Sequence, residues 1–176
     1  MGFEFVILDW FQSIHCAVLD VLAVALSTLG DHGVIWIALA LVMLAIPRTR
    51  RAGLAMALAL IGYQILGNGV LKPLVARPRP CDINTAVTML VPRPKGWSFP
   101  SGHSGSSFAA AFALWFQHSP LRWPAVIFAS LMALSRLYLY VHFPTDVLTG
   151  ALLGLALGWC ASRLADAAMR RWGKKS

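Results

Sequence analysis

Charged side chains are scarce in this sequence, and acidic ones are scarcer than basic ones. Of its 176 residues 12% are charged and only seven are Asp or Glu, whereas 58% are hydrophobic. Soluble domains carry about 25% charged residues, so this composition excludes an ordinary soluble protein and indicates a polytopic membrane protein. The net charge of +8 would suggest a nucleic-acid partner in a soluble chain, but here we expect none.

Cysteine is sparse as well. The three cysteines, Cys16, Cys81 and Cys160, lie far apart and adjoin no histidine cluster. This spacing provides neither a disulfide framework nor a zinc site.

Long apolar runs make up most of the chain. They cover residues 34–46, 52–71, 104–116, 123–141 and 147–164. Several approach the roughly 17–25 residues needed to span a bilayer, and proline or charge separates them. We therefore predict a single domain over residues 1–176, an all-α transmembrane bundle of five to six spans. Near its end Gly150, Gly154 and Gly158 form a small-xxx-small stripe that predicts close helix packing.

Residues 1–30 are predicted to form interfacial or partly spanning helices. Residues 3–14 alternate apolar side chains with Glu4, Asp9 and Gln12, which favours a helix lying in the membrane interface. Residues 17–29 are apolar except for Asp20, but the run is short. The sequence leaves open whether it is a sixth, tilted span or a re-entrant segment.

Basic residues indicate the orientation of the bundle. Clusters lie at residues 48–51, at Arg122 and at residues 170–175, and counting spans puts all three on one side. The positive-inside rule makes that side cytoplasmic. Residues 73–103, the one long polar connection, are then an external loop, and a loop this long is usually functional.

The tetrapeptide Pro100-Ser101-Gly102-His103 precedes an apolar run. Ser101 suits the N-cap of a helix, and the backbone N–H groups that follow are free donors for an anion. Gly102 has no side chain to keep a ligand from the backbone. An ordinary helix cap beside a loop would also account for these residues.

The segment Ser135-Arg136-x5-His142-x3-Asp146 supplies a cation and a His–Asp pair. If Asp146 contacts one ring nitrogen of His142, the other nitrogen is available as a nucleophile. A structural His–Asp pair, with Arg136 extended toward the membrane surface, is the alternative.

Lys72 ends one apolar run, and Arg79-Pro80 follows seven residues later. Lys and Arg both bind phosphate, Arg in a bidentate manner. An interfacial basic cluster that contacts lipid head groups would have the same composition. All three motifs map to one membrane face, however, and together they supply the groups needed for phosphoryl transfer.

The three motifs resemble, in order and without substitution, the three-part signature of the type 2 phosphatidic acid phosphatase superfamily. They are Lys72-x6-Arg79-Pro80, Pro100-Ser101-Gly102-His103 and Ser135-Arg136-x5-His142-x3-Asp146. The motifs span residues 72–146. The resemblance implies a metal-independent membrane lipid phosphatase that acts through a phosphohistidine intermediate and needs no cofactor. The expected location is the bacterial inner membrane, with the active site facing outside or the periplasm. In its compactness the chain resembles the small bacterial undecaprenyl-diphosphate phosphatases, and small phosphatidyl-type enzymes exist too.

The resemblance also implies a role for each signature residue. His142 would be the nucleophile, Asp146 its partner, and His103 the acid that protonates the leaving oxygen. The phosphoryl oxygens would be held by Lys72, Arg79, Ser101, Gly102 and Arg136. Arg77-Pro78 repeats the Arg-Pro dipeptide two residues early, so Arg77 is a further candidate for phosphate contact.

The scarcity of carboxylates independently favours a reaction without a metal. A magnesium site needs several oxygen ligands. On the expected active face we count only Asp82 and Asp146, and Asp146 is assigned to His142. The favoured substrate is undecaprenyl diphosphate, with phosphatidic acid and phosphatidylglycerophosphate as alternatives. A non-hydrolytic lipid-phosphate carrier and a vanadate-dependent haloperoxidase are more remote alternatives.

Overall fold

In the computed structural model, which describes residues 2–172 apart from the side chain of Trp172, every regular element is helical. A 3₁₀ turn at Asp31–Gly33 joins α2 to α3, and a π-helical segment at Gln64–Leu71 joins α4 to α5. The α-helices are α1 Gly2–Ser13, α2 Ala17–Gly30, α3 Val34–Ala45, α4 Arg50–Tyr63, α5 Lys72–Val75, α6 Pro80–Ile83, α7 Gly102–Phe116, α8 Arg122–Tyr138 and α9 Pro144–Trp172. The prediction of an all-α fold is confirmed.

Three helical stretches are long and apolar enough to cross a membrane: residues 17–45, 50–83 and 144–171. The first is not one straight helix. His32 and Gly33 have φ angles of 54° and 69°, which a right-handed helix cannot contain. The chain therefore changes direction between α2 and α3.

Helix α2 begins and ends on the same side of the bundle. At its start, Asp20 accepts a hydrogen bond of 2.6 Å from the hydroxyl of Tyr138, at the end of α8. Just beyond its end, Asp31 lies 3.1 Å from His103, at the start of α7. Because α7 and α8 are antiparallel neighbours, these two helix ends are adjacent. Both ends of α2 thus lie at one end of the bundle, which favours the re-entrant segment over a sixth span, and the helices that traverse the bundle are α3, α4–α5, α7, α8 and α9.

The opposite end of the bundle gathers the basic clusters. Arg51, at the start of α4, forms an ion pair of 2.7 Å with Asp166 near the end of α9. The side chain of Gln117, just beyond α7, donates to the same carboxylate at 2.9 Å. Arg122 begins α8 directly after this turn. Arg170 and Arg171 lie in the last turn of α9, whereas Lys174 and Lys175 of the same predicted cluster lie outside the described residues. The described members of the clusters that the sequence assigned to one side thus lie at one end of the molecule.

Small residues bring α7 and α9 into backbone contact. A Cβ at Gly154 would lie 2.6 Å from the carbonyl oxygen of Gly105, and one at Gly158 would lie 2.8 Å from the backbone nitrogen of Ala113. The close packing predicted from the glycine stripe is present. It places the N-termini of both helices side by side, and the Ser101 N–H donates to the Asp146 carbonyl at 3.1 Å.

Candidate active site

The signature residues meet at one end of the bundle, around a cavity of about 820 Å³. The cavity is lined by six of them: Lys72, Arg79, Gly102, His103, Arg136 and His142. Ser101, Asp146 and Arg77 lie behind this surface and do not line it. The structure thus separates a wall that faces a ligand from residues that hold the wall in place.

His142 lies in the turn between α8 and α9 and is buried together with Asp146. Its Nδ1 lies 3.6 Å from Asp146 Oδ2, and its Nε2 lies 3.3 Å from an Arg79 nitrogen at the cavity. Burial lowers the pKa of His142 to about 3, although contact with Asp146 opposes the shift. The ring is therefore neutral near pH 7. With Nδ1 toward the carboxylate, the unprotonated Nε2 faces the cavity.

Asp146 is held by further hydrogen bonds. Its Oδ2 accepts the backbone N–H of Phe143 at 2.9 Å and the hydroxyl of Ser98. The Ser98 oxygen is also 3.4 Å from His142 Nδ1. Ser98 is fully buried and precedes the signature tetrapeptide, and sequence reasoning missed it because serines are common in loops. It belongs to the group that orients the His142 ring.

The two signature arginines are buried without a carboxylate partner. Arg79 donates to the backbone carbonyls of Gly96, Val141 and Trp97 at 3.0, 3.0 and 3.2 Å. The Arg136 guanidinium donates to the hydroxyls of Ser27 and Ser135 at 2.8–3.1 Å. Among the described residues no ion pair involves either arginine or Lys72. A buried cation without a counter-charge is costly, so two of them around one cavity, beside the half-buried Lys72, indicate an anion site.

The start of α7 completes the wall. Ser101 caps the helix through its side chain, which accepts from the Ser104 N–H at 3.4 Å, as the sequence predicted. The hydroxyl of buried Tyr63 donates to the Ser101 carbonyl at 2.8 Å. A Cβ at Gly102 would lie 3.8 Å from the Lys72 Nζ. The free N–H groups of this helix end therefore adjoin a lysine cation at the cavity.

Asp31 is a member of the site that sequence reasoning missed. Its carboxylate lies 3.1 Å from His103 Nε2, and it lines the same cavity. Its contact with His103 bridges 72 residues of sequence, and no local motif marks it. Burial and the nearby Arg136 disfavour the charged form of the His103 ring, and the Asp31 carboxylate at this distance opposes them by favouring it.

The carboxylate count made from the sequence was therefore wrong. Besides Asp82 and Asp146, the fold brings Asp31 and Glu4 from the N-terminal segment to this end of the molecule. Within residues 2–172, no three His, Cys, Asp or Glu side chains are grouped so that they could hold a metal ion.

Arg77 does not face the cavity. Its guanidinium donates to Asp146 Oδ1 at 2.7 Å and to Glu4 Oε2 at 2.6 Å. It also lies 3.9 Å from the centre of the Phe143 ring. The geometry therefore gives no support to the expected phosphate contact and places Arg77 behind the His–Asp pair.

An apolar groove extends from the cavity between α3 and α4. Its walls present side chains at helical spacing, among them Ile37, Leu41 and Leu44 on α3 and Ala57 and Ile61 on α4. Leu41 and Ile61 are more than half exposed, so the groove opens on the outer surface of the bundle. The groove therefore has the polarity of a lipid chain.

Comparison with known proteins identifies the family of this chain. A profile of the PAP2 superfamily matches residues 48–170. An undecaprenyl-diphosphatase of Sulfolobus acidocaldarius is 32% identical over 155 residues, covering 88% of this chain and 74% of that protein. A decaprenylphosphoryl-5-phosphoribose phosphatase of Mycolicibacterium smegmatis is 44% identical over 128 residues, covering 72% and 68%. The crystal structure of LpxE from Aquifex aeolicus superimposes with a TM-score of 0.79 at 26% identity, covering 90% of this chain and 94% of that one.

A helical membrane bundle with a cation-lined cavity and a His–Asp pair defines a class of membrane phosphatases. This chain belongs to the PAP2 superfamily, and it is a membrane phosphatase. The resemblance drawn from the signature residues is confirmed.

We predict that Asp31→Asn lowers kcat about tenfold or more and moves the alkaline limb of the kcat–pH profile to lower pH. The reason is that the protonated form of His103, expected to donate a proton to the leaving group, loses its stabilising carboxylate. Steady-state kinetics across pH would measure both effects. Asp20→Asn, which removes the other acidic side chain of this segment, is the control and should leave the profile unchanged. An unshifted profile for Asp31→Asn would show that Asp31 does not support His103.

Proposed function

We propose that this protein hydrolyses a lipid-linked phosphate at the cavity through a phosphohistidine on His142. The observation that carries the proposal is the set of buried cations without carboxylate partners around the neutral His142 Nε2. Such fixed charges stabilise the negative charge on a transferring phosphoryl group, because they need no rearrangement during the reaction.

In the first step Nε2 of His142 attacks phosphorus, and the bond from phosphorus to the leaving oxygen breaks. His103 gives its proton to that oxygen, while Asp146 stabilises the cation on the His142 ring. In the second step water attacks the phosphohistidine, His103 takes a proton from the water, and orthophosphate leaves. Lys72, Arg79 and Arg136, with the N–H groups at the start of α7, hold the phosphoryl oxygens throughout.

The proposed substrate is a polyprenyl phosphate compound, with undecaprenyl diphosphate favoured. The groove between α3 and α4 suits a long apolar chain, and the named activity of the Sulfolobus relative is of this type. Lys95 lines the cavity as a further cation that a diphosphate would approach. Phosphatidic acid and phosphatidylglycerophosphate would fit the same groove and belong in the comparison.

A polyprenyl phosphosugar is the second candidate. The cavity is also lined by Asp31, Gln64 and Asn68, whose side chains suit sugar hydroxyls better than a second phosphate. The Asn68 amide donates to Gln64 Oε1 at 2.9 Å, which leaves its own oxygen for a ligand. The Mycolicibacterium relative is named for such a substrate.

We predict that the purified protein releases orthophosphate from undecaprenyl diphosphate faster than from phosphatidic acid, phosphatidylglycerophosphate or a polyprenyl phosphoribose phosphate. Release should continue in EDTA and be inhibited by vanadate, which mimics the transition state. His142→Asn should abolish release, and Asp146→Asn should lower it by several orders of magnitude, roughly as for triad carboxylates. His118→Asn, at the opposite end of the bundle, is the matched control.

Each outcome of this comparison has a distinct meaning. Fastest release from the phosphoribose substrate would select the second candidate. Binding of lipid phosphate without any release would favour a carrier, and halide oxidation after vanadate loading would favour a haloperoxidase. Complete loss of release in EDTA with recovery in magnesium would refute the metal-independent scheme.

We also propose that the protein lies in the bacterial inner membrane with the cavity on the external or periplasmic side. The support is the basic end of the bundle, where residues 48–51 and Arg122 lie, since such clusters remain cytoplasmic. The loop at residues 76–101 and the cavity lie at the other end.

Sidedness can be measured with single cysteines at two exposed positions, Thr88 in the cavity-end loop and Pro120 at the basic end. The background would lack Cys16, Cys81 and Cys160. We expect a membrane-impermeant thiol reagent to label Thr88→Cys in intact cells, and Pro120→Cys only after the cells are broken. The reverse pattern would place the cavity on the cytoplasmic side.

A further inference from the structure

Helix α1 presents its apolar side outward and one carboxylate inward. Phe3, Val6 and Trp10 are 64%, 70% and 57% exposed, whereas Glu4 is 4% exposed. This pattern is typical of a helix lying in the membrane interface. A charged group buried beneath such a helix is expensive, and its presence points to a function.

Glu4 is fully engaged on the side of the site. Its Oε2 accepts from Arg77 Nη2 at 2.6 Å, and its Oε1 accepts from the Thr145 hydroxyl at 2.6 Å. Thr145 is the residue before Asp146, at the start of α9. The first helix of the chain is therefore bonded to the segment that carries the catalytic carboxylate.

Arg77 connects Glu4 to Asp146 directly. The same guanidinium donates to Asp146 Oδ1 at 2.7 Å and to the Thr145 hydroxyl at 2.7 Å. The other oxygen of Asp146, Oδ2, faces His142. Asp146 thus contacts the Arg77 guanidinium, which is always positively charged, through one oxygen. Through the other oxygen it contacts the His142 ring, which becomes positively charged when it attacks phosphorus.

This sharing creates an electrostatic conflict that Glu4 removes. Arg77 alone would neutralise Asp146 and weaken its stabilisation of a cationic His142. With Glu4 added, the three side chains carry a net charge of −1, because two carboxylates flank one guanidinium. Glu4 therefore restores the negative charge that the His142 cation requires, while Arg77 keeps the carboxylate in one orientation.

We propose that Glu4 and Arg77 are positioning residues for the reaction, and that α1 is a part of the active site and not only a membrane anchor. The inference rests on the proposed function, since it assumes that His142 becomes positively charged during turnover. Neither residue touches the substrate cavity, so both act through Asp146.

Glu4→Gln removes the charge and keeps the shape of the side chain. Its amide oxygen can still accept from Arg77, but its NH2 group cannot accept from the Thr145 hydroxyl. We expect kcat to fall ten- to a hundredfold, roughly the range found when an outer partner of a metal-bound histidine is removed. KM should stay within about twofold, because the cavity wall is unchanged. Asp9→Asn is the matched control, since Asp9 lies on the same helix and accepts a 2.8 Å hydrogen bond from Tyr140. Its kcat should equal that of the wild type.

A second readout separates an electrostatic role from a merely structural one. Removing Glu4 in an Arg77→Gln background should cost little further activity, because no opposing cation is left for Glu4 to balance. Equal losses from Glu4→Gln in both backgrounds, or a normal kcat for Glu4→Gln, would overturn the proposal.

Two further results keep the test decisive. Should Glu4→Gln not purify as a folded protein, Arg77→Lys takes its place, because a lysine keeps the charge but cannot bridge both carboxylates in this geometry. A normal kcat for Arg77→Lys would also overturn the proposal. Absence of phosphate release from the wild type itself would refute the proposed function instead, so the two failures are distinguishable.

Discussion

The arrangement of this site depends on one buried carboxylate, that of Asp146. It faces His142, accepts the Ser98 hydroxyl and is bonded by Arg77, and its backbone carbonyl accepts the N–H of Ser101. These contacts join the long loop, α7, α9 and, through Arg77, α1. Leaving a buried carboxylate unpaired is costly, so these bonds stabilise the position of each segment relative to His142.

Around this carboxylate the molecule separates two kinds of positive charge. Arg77 is paired with carboxylates and has a structural position, whereas Arg79 and Arg136 bond only to neutral oxygens and a ring nitrogen and remain available to an anion. In the proposed function, the groove between α3 and α4 leads an apolar chain to the anion site. The cations there would bind the head group, and the opening between the two helices would admit the chain. Separate sites for the head group and the apolar chain are consistent with the different lipid substrates named for the sequence relatives.

The sequence predicted the all-α bundle and the residues of the cavity wall because both depend on local signals. Apolar runs mark helices, and a motif such as Pro100-Ser101-Gly102-His103 sits where a helix begins. It did not predict Asp31 at His103 or Glu4 at Arg77, which are contacts across 72 and 73 residues. It also left open whether Arg77 contacts phosphate, because spacing gives the position of a side chain but not which anion it meets. These contacts arise from the placement of the first thirty residues, where the sequence pattern was weakest.

The central claim is that phosphorus is transferred to His142, and stopping turnover within milliseconds tests it most directly. Wild-type protein mixed with labelled substrate, quenched in alkali and analysed by mass spectrometry should carry a transient phosphate on His142, labile to acid and absent from His142→Asn. Phosphate release without any transient phosphoprotein, or phosphate on another residue, would contradict the account.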